Sequence, residues 1–378
     1  MTYNTLMPNP VRDSLYFPDT GAHKSVLPTP ALLVDLAALE FNLNVMSDFF
    51  KHRSTSLRPH FKTHKCLTIA KKQVAAGAIG ITCAKLSEAE LLVNGGISSV
   101  LIANQIVDPA KIDRMAQLAR KSQLIVAIDQ LDNLLRIAKA AQNEASTIHV
   151  VIEVDVGLHR CGVKPDESAL SLAAAASQLQ GIHFSGLLGY EGFTMFEPDP
   201  EKRQVNVNQA MSSLVASADL LRDAGIPIEI VSAGGTGTYA LTGNYPGVTE
   251  VEAGSYVFMD LKYNQLKLPF RQALTLLATI ISIPEPRRAI MDVGMKVLTT
   301  DNGLPEIIRP QGVRLLRLNE EHGILEVDLN MVHADVGGVV EIVPSHVCTT
   351  VNLHDRYYVM QGEHLVDIWE INGRGKSQ

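Results

Sequence analysis

Cysteine is scarce in this sequence: four in 378 residues, Cys66, Cys83, Cys161 and Cys348, set far apart. So sparse a set is no disulfide framework, and it fits a reducing cytoplasm. A basic surplus is also missing. The formal net charge is -7 and the isoelectric point about 5.9, which argues against nucleic acid as a partner. No stretch approaches the ~18 uninterrupted apolar residues of a membrane span, and MTYNTLMPNPVRDSLYFPDT has no signal-peptide core. What is present is a chain 46% hydrophobic and 19% charged, enough to bury a large core. At ~150 residues per domain it divides into two or three domains.

The first thirty residues carry Pro8, Pro10, Pro18, Pro28 and Pro30 and read as an irregular lead-in. Beyond them, to about residue 257, short β-branched runs alternate with longer Ala/Leu-rich stretches of helical spacing, the signature of βα units and a parallel sheet. The strand candidates are residues 31–36, 57–63, 79–85, 99–105, 123–129, 148–155, 184–190, 228–235 and 248–258. A closed (β/α)8 barrel takes eight strands, so one of these nine lies elsewhere. The first is the natural exile, because it follows the proline-rich lead-in. After residue 270 the strands succeed one another across short turns, predicting an antiparallel β domain. The expected division is an N-terminal segment 1–36 joining the β domain, a barrel over 37–265 and a β domain over 266–378.

Working groups of a barrel project from the C-terminal strand ends. Those ends offer His60, Lys62 and His64, then Asn104 and Gln105, then Glu153, Asp155, His159 and Arg160, then Tyr190 and Glu191. After the seventh and eighth barrel strands come two small, hydroxyl-bearing loops, Gly234–Gly235–Thr236–Gly237–Thr238 and Gly254–Ser255–Tyr256. Bare backbone N–H groups in that position suit a phosphate, and Gly237 and Gly254 are expected to let the backbone approach it closely. Strand alternation would set Lys62 on one face with His60 and His64, whose charges lower an ammonium pKa and free the amine for a Schiff base. A Schiff-base lysine beside a phosphate site suggests pyridoxal phosphate. In the β domain, His346 and Cys348 are one residue apart, so on a strand both would face one metal ion. The bland alternative is a buried cysteine next to a half-buried histidine. Cys161 and Trp369 read as core.

These motifs together resemble a known group: the fold-type III pyridoxal phosphate enzymes of the D-serine dehydratase and D-threonine aldolase family, relatives of alanine racemase. The resemblance runs over nearly the whole chain and rests on RPHFKTHK, IEVDVGLHRCGV, AGGTGT, EVEAGSYVFMD, NEEHG and PSHVCTTVNLHD. It implies an alanine racemase-like barrel with a C-terminal β domain, and a cytoplasmic homodimer. By this resemblance Lys62 carries the cofactor, with His60, Arg160 and Tyr190 beside it and the tyrosine near the pyridine nitrogen. Gly235, Thr236, Gly237, Gly254, Ser255 and Tyr256 match the phosphate cup, and His346 and Cys348 the metal pair.

The implied activity is a lyase of D-3-hydroxy amino acids. Cys348, where aldolases of the group carry aspartate, tilts the expectation toward a dehydratase giving keto acid and ammonia. The C-terminal PSHV…NLHD…WEI pattern leans toward retro-aldol cleavage to glycine and aldehyde. A racemase, needing a second acid/base and no metal, is a remoter alternative. A thiolate ligand favours zinc over manganese or magnesium. The expected partner is a small D-amino acid, with neither nucleic acid nor membrane.

Overall fold

The computed structural model describes residues 18–378, so Pro8 and Pro10 of the lead-in lie outside the described residues. The first strand, β1 (Ala31–Asp35), ends where the Asp35 carboxylate accepts from Ala38 N–H at 3.0 Å and caps the helix Leu36–Phe50. That helix buries Leu39, Leu43, Met46 and Phe50, a stripe at helical spacing.

Eight parallel strands follow: β2 (Ser56–Leu57), β3 (Ile81–Cys83), β4 (Ser99–Ile102), β5 (Gln123–Ile128), β6 (Ile148–Glu153), β7 (Ile182–Leu188), β8 (Ile230–Ala233) and β9 (Glu250–Val251). They pair in the order β2-β9-β8-β7-β6-β5-β4-β3. The two ends meet at a parallel bridge between His60 and Thr82, with Thr82 N–H donating to Pro59 O at 2.9 Å. The sheet is therefore a barrel with helices outside. Alternation along β5 shows the two faces. Leu124, Val126 and Ile128 pack outward with the helices, whereas Ile125 and Ala127 pack inward with Leu101, Val151 and Leu188. Inside the barrel Arg58 and Glu250 form a buried bidentate ion pair at 3.0 and 3.1 Å.

The remaining strands are β10 (Leu274–Glu285), β11 (Arg288–Met291), β12 (Glu306–Arg309), β13 (Val313–Leu318), β14 (Gly323–Val327), β15 (Val339–Val343), β16 (Arg356–Gln361) and β17 (His364–Glu370). With β1 they form a second sheet of nine strands. β1 pairs antiparallel with β10 but parallel with β16, so this sheet is mixed rather than purely antiparallel. Tyr256, Phe258, Leu274 and Tyr357 share one buried cluster with the helix Leu36–Phe50, which ties the sheet to the barrel. Among the described residues no helix is long and apolar enough to cross a membrane.

Candidate active site

A cavity of about 310 Å³ opens at the C-terminal mouth of the barrel. Among its walls are His60, Lys62, Arg160, Tyr190, Thr236 and Ser255. Strand β2 stops at Leu57, earlier than alternation predicts, and the chain turns through a single 3-10 turn at Phe61–Thr63. That turn separates the three residues expected on one face. Lys62 is exposed at the cavity, and His60 takes its backbone N–H on Nδ1 at 3.3 Å. His64 points the other way, fully buried, with Nε2 3.1 Å from Gln73 Oε1 and Nδ1 accepting from Cys66 N–H. Burial, and then the charges of Lys62, His64 and Arg160, push the His60 pKa well down, so it is a neutral neighbour of the amine. Among the described residues the Lys62 ammonium has no hydrogen-bond partner; it stands 5.7 Å from the centre of the Tyr190 ring.

Arg160 also lies 5.7 Å from that ring and is held by Glu153 at 3.3 Å. Glu153 in turn accepts from Gln105 Nε2 at 2.6 Å. Cys161 is exposed and lines the cavity, contrary to its reading as core, while Trp369 is buried as expected.

The two glycine loops form the far wall. Among the described residues the backbone N–H groups of Thr236, Gly254 and Ser255 donate to nothing. Three free donors in one cavity wall would suit a cradle for an anion. Gly237 and Tyr256 stand behind this wall: Gly237 N–H donates to Met195 Sδ at 3.1 Å, Tyr256 N–H to Thr236 Oγ1 at 3.0 Å. The close approaches expected of Gly237 and Gly254 are to protein. A Cβ on Gly237 would lie 2.0 Å from Met195 O, and one on Gly254 2.6 Å from Thr63 Oγ1.

Sequence reasoning missed the support of this cradle. Glu191 is fully buried and accepts from Thr238 Oγ1 at 2.7 Å, Thr242 Oγ1 at 2.6 Å and Gly234 N–H at 3.0 Å. The signal was its place beside Tyr190, which reads as a cavity group; the side chain faces the other way.

His346 and Cys348 do not share a strand face, because β15 ends at Val343 and His346 caps the short helix Val347–Val351. Their side chains nonetheless meet by hydrogen bonding. Cys348 Sγ lies 3.4 Å from Thr63 Oγ1 and 3.9 Å from Ser255 Oγ, which sets the pair against the turn that carries Lys62 within one chain. Burial alone would lower the His346 pKa, yet Cys348 and Asp301 raise it to about 9. Burial likewise favours the neutral Cys348 thiol, but His346, Thr63 and Lys62 bring its pKa below the ordinary value. Asp301, also unsuspected from sequence, holds His346 Nδ1 at 2.5 Å. A carboxylate at Nδ1 fixes the proton there, so Nε2, once it gives up its own proton, would be the donor to a metal. Among the described residues no group of three His, Cys, Asp or Glu is arranged for a metal. An ion held by this pair would have two protein ligands and open positions, which would suit catalysis rather than structure.

Comparison with known proteins agrees with this architecture. The alanine racemase N-terminal domain pattern matches residues 34–262, and the putative serine dehydratase domain pattern matches residues 273–360. The chain is 40% identical to a D-threonine aldolase of an Arthrobacter species over 93% of both chains. It is 31% identical to the D-threo-3-hydroxyaspartate dehydratase of Delftia sp. strain HT23, over 91% of this chain and 97% of that one. A solved D-threonine aldolase from Filomicrobium marinum, 36% identical, superposes with a TM-score of 0.93 over 96% of this chain and 100% of that one. The chain belongs to the alanine racemase-like family of pyridoxal phosphate-dependent lyases that holds the D-threonine aldolases and the D-3-hydroxyaspartate dehydratases.

Proposed function

We propose that this lyase eliminates water from a D-3-hydroxy amino acid, giving a keto acid and ammonia, with pyridoxal phosphate at Lys62 and a divalent ion, zinc by preference, at His346 and Cys348. The unpaired Lys62 amine and the three free N–H groups of Thr236, Gly254 and Ser255 fit the cofactor's two reactive ends. The acidic thiol of Cys348, with His346 oriented by Asp301, fits the ion. When bound, the cofactor supplies an electron sink at the substrate's Cα and the ion a Lewis acid at its β-oxygen.

The chain's own groups do the rest. Tyr190 presents its ring face as a wall of the cavity, and Glu153 holds Arg160 against it. Neutral His60 adds no positive charge beside Lys62, whose amine takes the Cα proton. The β-hydroxyl departs toward His346 and Cys348, which stand across Thr63 from that amine. The same reading takes a homodimer as the assembly and a reducing cytoplasm as the setting in which Cys348 stays a thiol.

Cys348 carries the choice of dehydration. Solved structures of a D-threo-3-hydroxyaspartate dehydratase include one variant with a histidine, and another with a cysteine two positions further on, replaced by alanine; the cysteine variant is described as metal-free. This chain has a histidine and a cysteine at the same spacing. The second reading, aldol cleavage, is favoured by the higher identity to the Arthrobacter aldolase. Incubation with D-serine, D-threonine and D-3-hydroxyaspartate separates them. Keto acid and ammonia in excess support dehydration; glycine with aldehyde or glyoxylate in excess overturns it in favour of aldol cleavage.

A further inference from the structure

Thr63 is the buried hydroxyl that the chemistry above leaves without a task. It closes the 3-10 turn Phe61–Thr63, directly after Lys62, and is 1% exposed. Its backbone is held in place, since His64 N–H and Lys65 N–H both donate to Phe61 O, at 3.2 and 2.9 Å. Among the described residues Thr63 Oγ1 has one hydrogen-bond partner, Cys348 Sγ at 3.4 Å. The other hydroxyl near that sulfur, Ser255 Oγ, is further off at 3.9 Å and is shared with Tyr263. Gly254 makes room for the contact. A Cβ there would stand 2.6 Å from Thr63 Oγ1, so a larger residue would push the hydroxyl off the sulfur.

The Cys348 side is held as well. Asp260 accepts from Val347 N–H at 3.0 Å and so sets the start of the helix Val347–Val351. A thiol can donate its S–H to Thr63 Oγ1, but a metal-bound sulfur has no proton and only accepts. With an ion on Cys348 the bond therefore runs from Thr63 Oγ–H to Sγ. Such a bond draws charge off the sulfur, leaves the ion more electron-poor toward an oxygen ligand, and fixes the direction in which the sulfur points. A buried hydroxyl without that acceptor is costly, which keeps the two groups together.

We infer that Thr63 is the outer partner of the metal-bound Cys348 sulfur, a positioning residue that orients this ligand and strengthens the ion as a Lewis acid at the substrate's β-oxygen. This rests on the metal reading above. Because Thr63 and Lys62 share one short turn, the sulfur is tied to the residue next to the amine and not only to its own helix. The bond serves dehydration and aldol cleavage alike, since both need charge drawn away from the β-oxygen.

The test is cobalt(II) substitution of the holoenzyme, read as the cobalt-minus-zinc difference spectrum in wild type, Thr63→Val, Thr63→Ser and Cys348→Ala. Wild type should show a sulfur-to-cobalt charge-transfer band. Thr63→Val nearly keeps the shape and loses the hydroxyl; it should move that band to longer wavelength, because sulfur without the bond gives up charge more easily. Thr63→Ser should restore it. Zinc affinity, measured against a chromophoric chelator, should fall roughly tenfold in Thr63→Val and recover in Thr63→Ser. An unmoved band in Thr63→Val overturns the inference. So does a band shifted equally in Thr63→Ser, which assigns the effect to packing rather than to the hydroxyl. Should Thr63→Val fail to fold, the wild-type cobalt–sulfur stretch decides. Its resonance Raman frequency should change in deuterium oxide, and an unchanged frequency overturns the assignment. A band absent from wild type, or kept in Cys348→Ala, shows that the ion does not sit on Cys348; the metal reading itself has then failed, and this inference with it.

Discussion

His64 shows how much a single side chain can depend on which way a turn sends it. Buried without charge, it titrates only near pH 3, because burial outweighs its bonds to Gln73 and Cys66. An unfolded histidine titrates near 6.5, so between these values the unfolded chain binds the extra proton and folding stability falls with falling pH. The loss attributable to this residue is at most about 1.4 kcal/mol per pH unit. Urea midpoints of wild type and His64→Gln at pH 7.0 and 4.5 should show wild type losing about 2 kcal/mol more than the variant over that range. Equal losses in both would place His64 in contact with solvent. The side chain's inward direction was not legible in RPHFKTHK, because alternation assumes a strand and the chain leaves the sheet after Leu57. Lys62 keeps its place at the cavity only because the same turn sends it outward.

At the scale of elements, the cradle loop and the short helix Val347–Val351 are both held by carboxylates, Glu191 and Asp260, whose holding role the sequence does not display. Glu191 takes two donors of the loop after β8 and a third, Thr242, from the helical turn behind it, and Asp260 accepts from Val347 N–H at 3.0 Å, fixing the start of the helix that bears Cys348. Glu191→Ala leaves those three donors without an acceptor, at a cost of about 2–4 kcal/mol. It should also weaken pyridoxal phosphate binding to the apo chain about tenfold, read by fluorescence titration. Unchanged affinity would show that the loop keeps its shape without Glu191. The barrel strands themselves were readable, since β4 to β8 are apolar runs bounded by turns, each followed by a helical stretch. The helix at Cys348 was not, because VVEIVPSHV reads as one apolar run and only Pro344 marks the stop. His346 and Cys348 still meet, through a cap and a first turn rather than through a strand's face.

At the scale of the whole molecule, two units packed on a shared apolar cluster bring Thr63 of the barrel and Cys348 of the second sheet to 3.4 Å. No local pattern contains that distance; it follows from β1 joining β10 and β16 and from the helix Leu36–Phe50 packing between the units. On the proposed reading, the His346–Cys348 pair binds a metal and acts together with the cofactor lysine across Thr63, though the two are anchored in different units. Chelation of the holoenzyme, followed by turnover of a D-3-hydroxy amino acid and the cofactor's absorbance, measures this directly. Turnover should fall at least a hundredfold while the absorbance band stays, and zinc should restore the rate better than manganese or magnesium. Exhaustively chelated enzyme turning over at the untreated rate would contradict it.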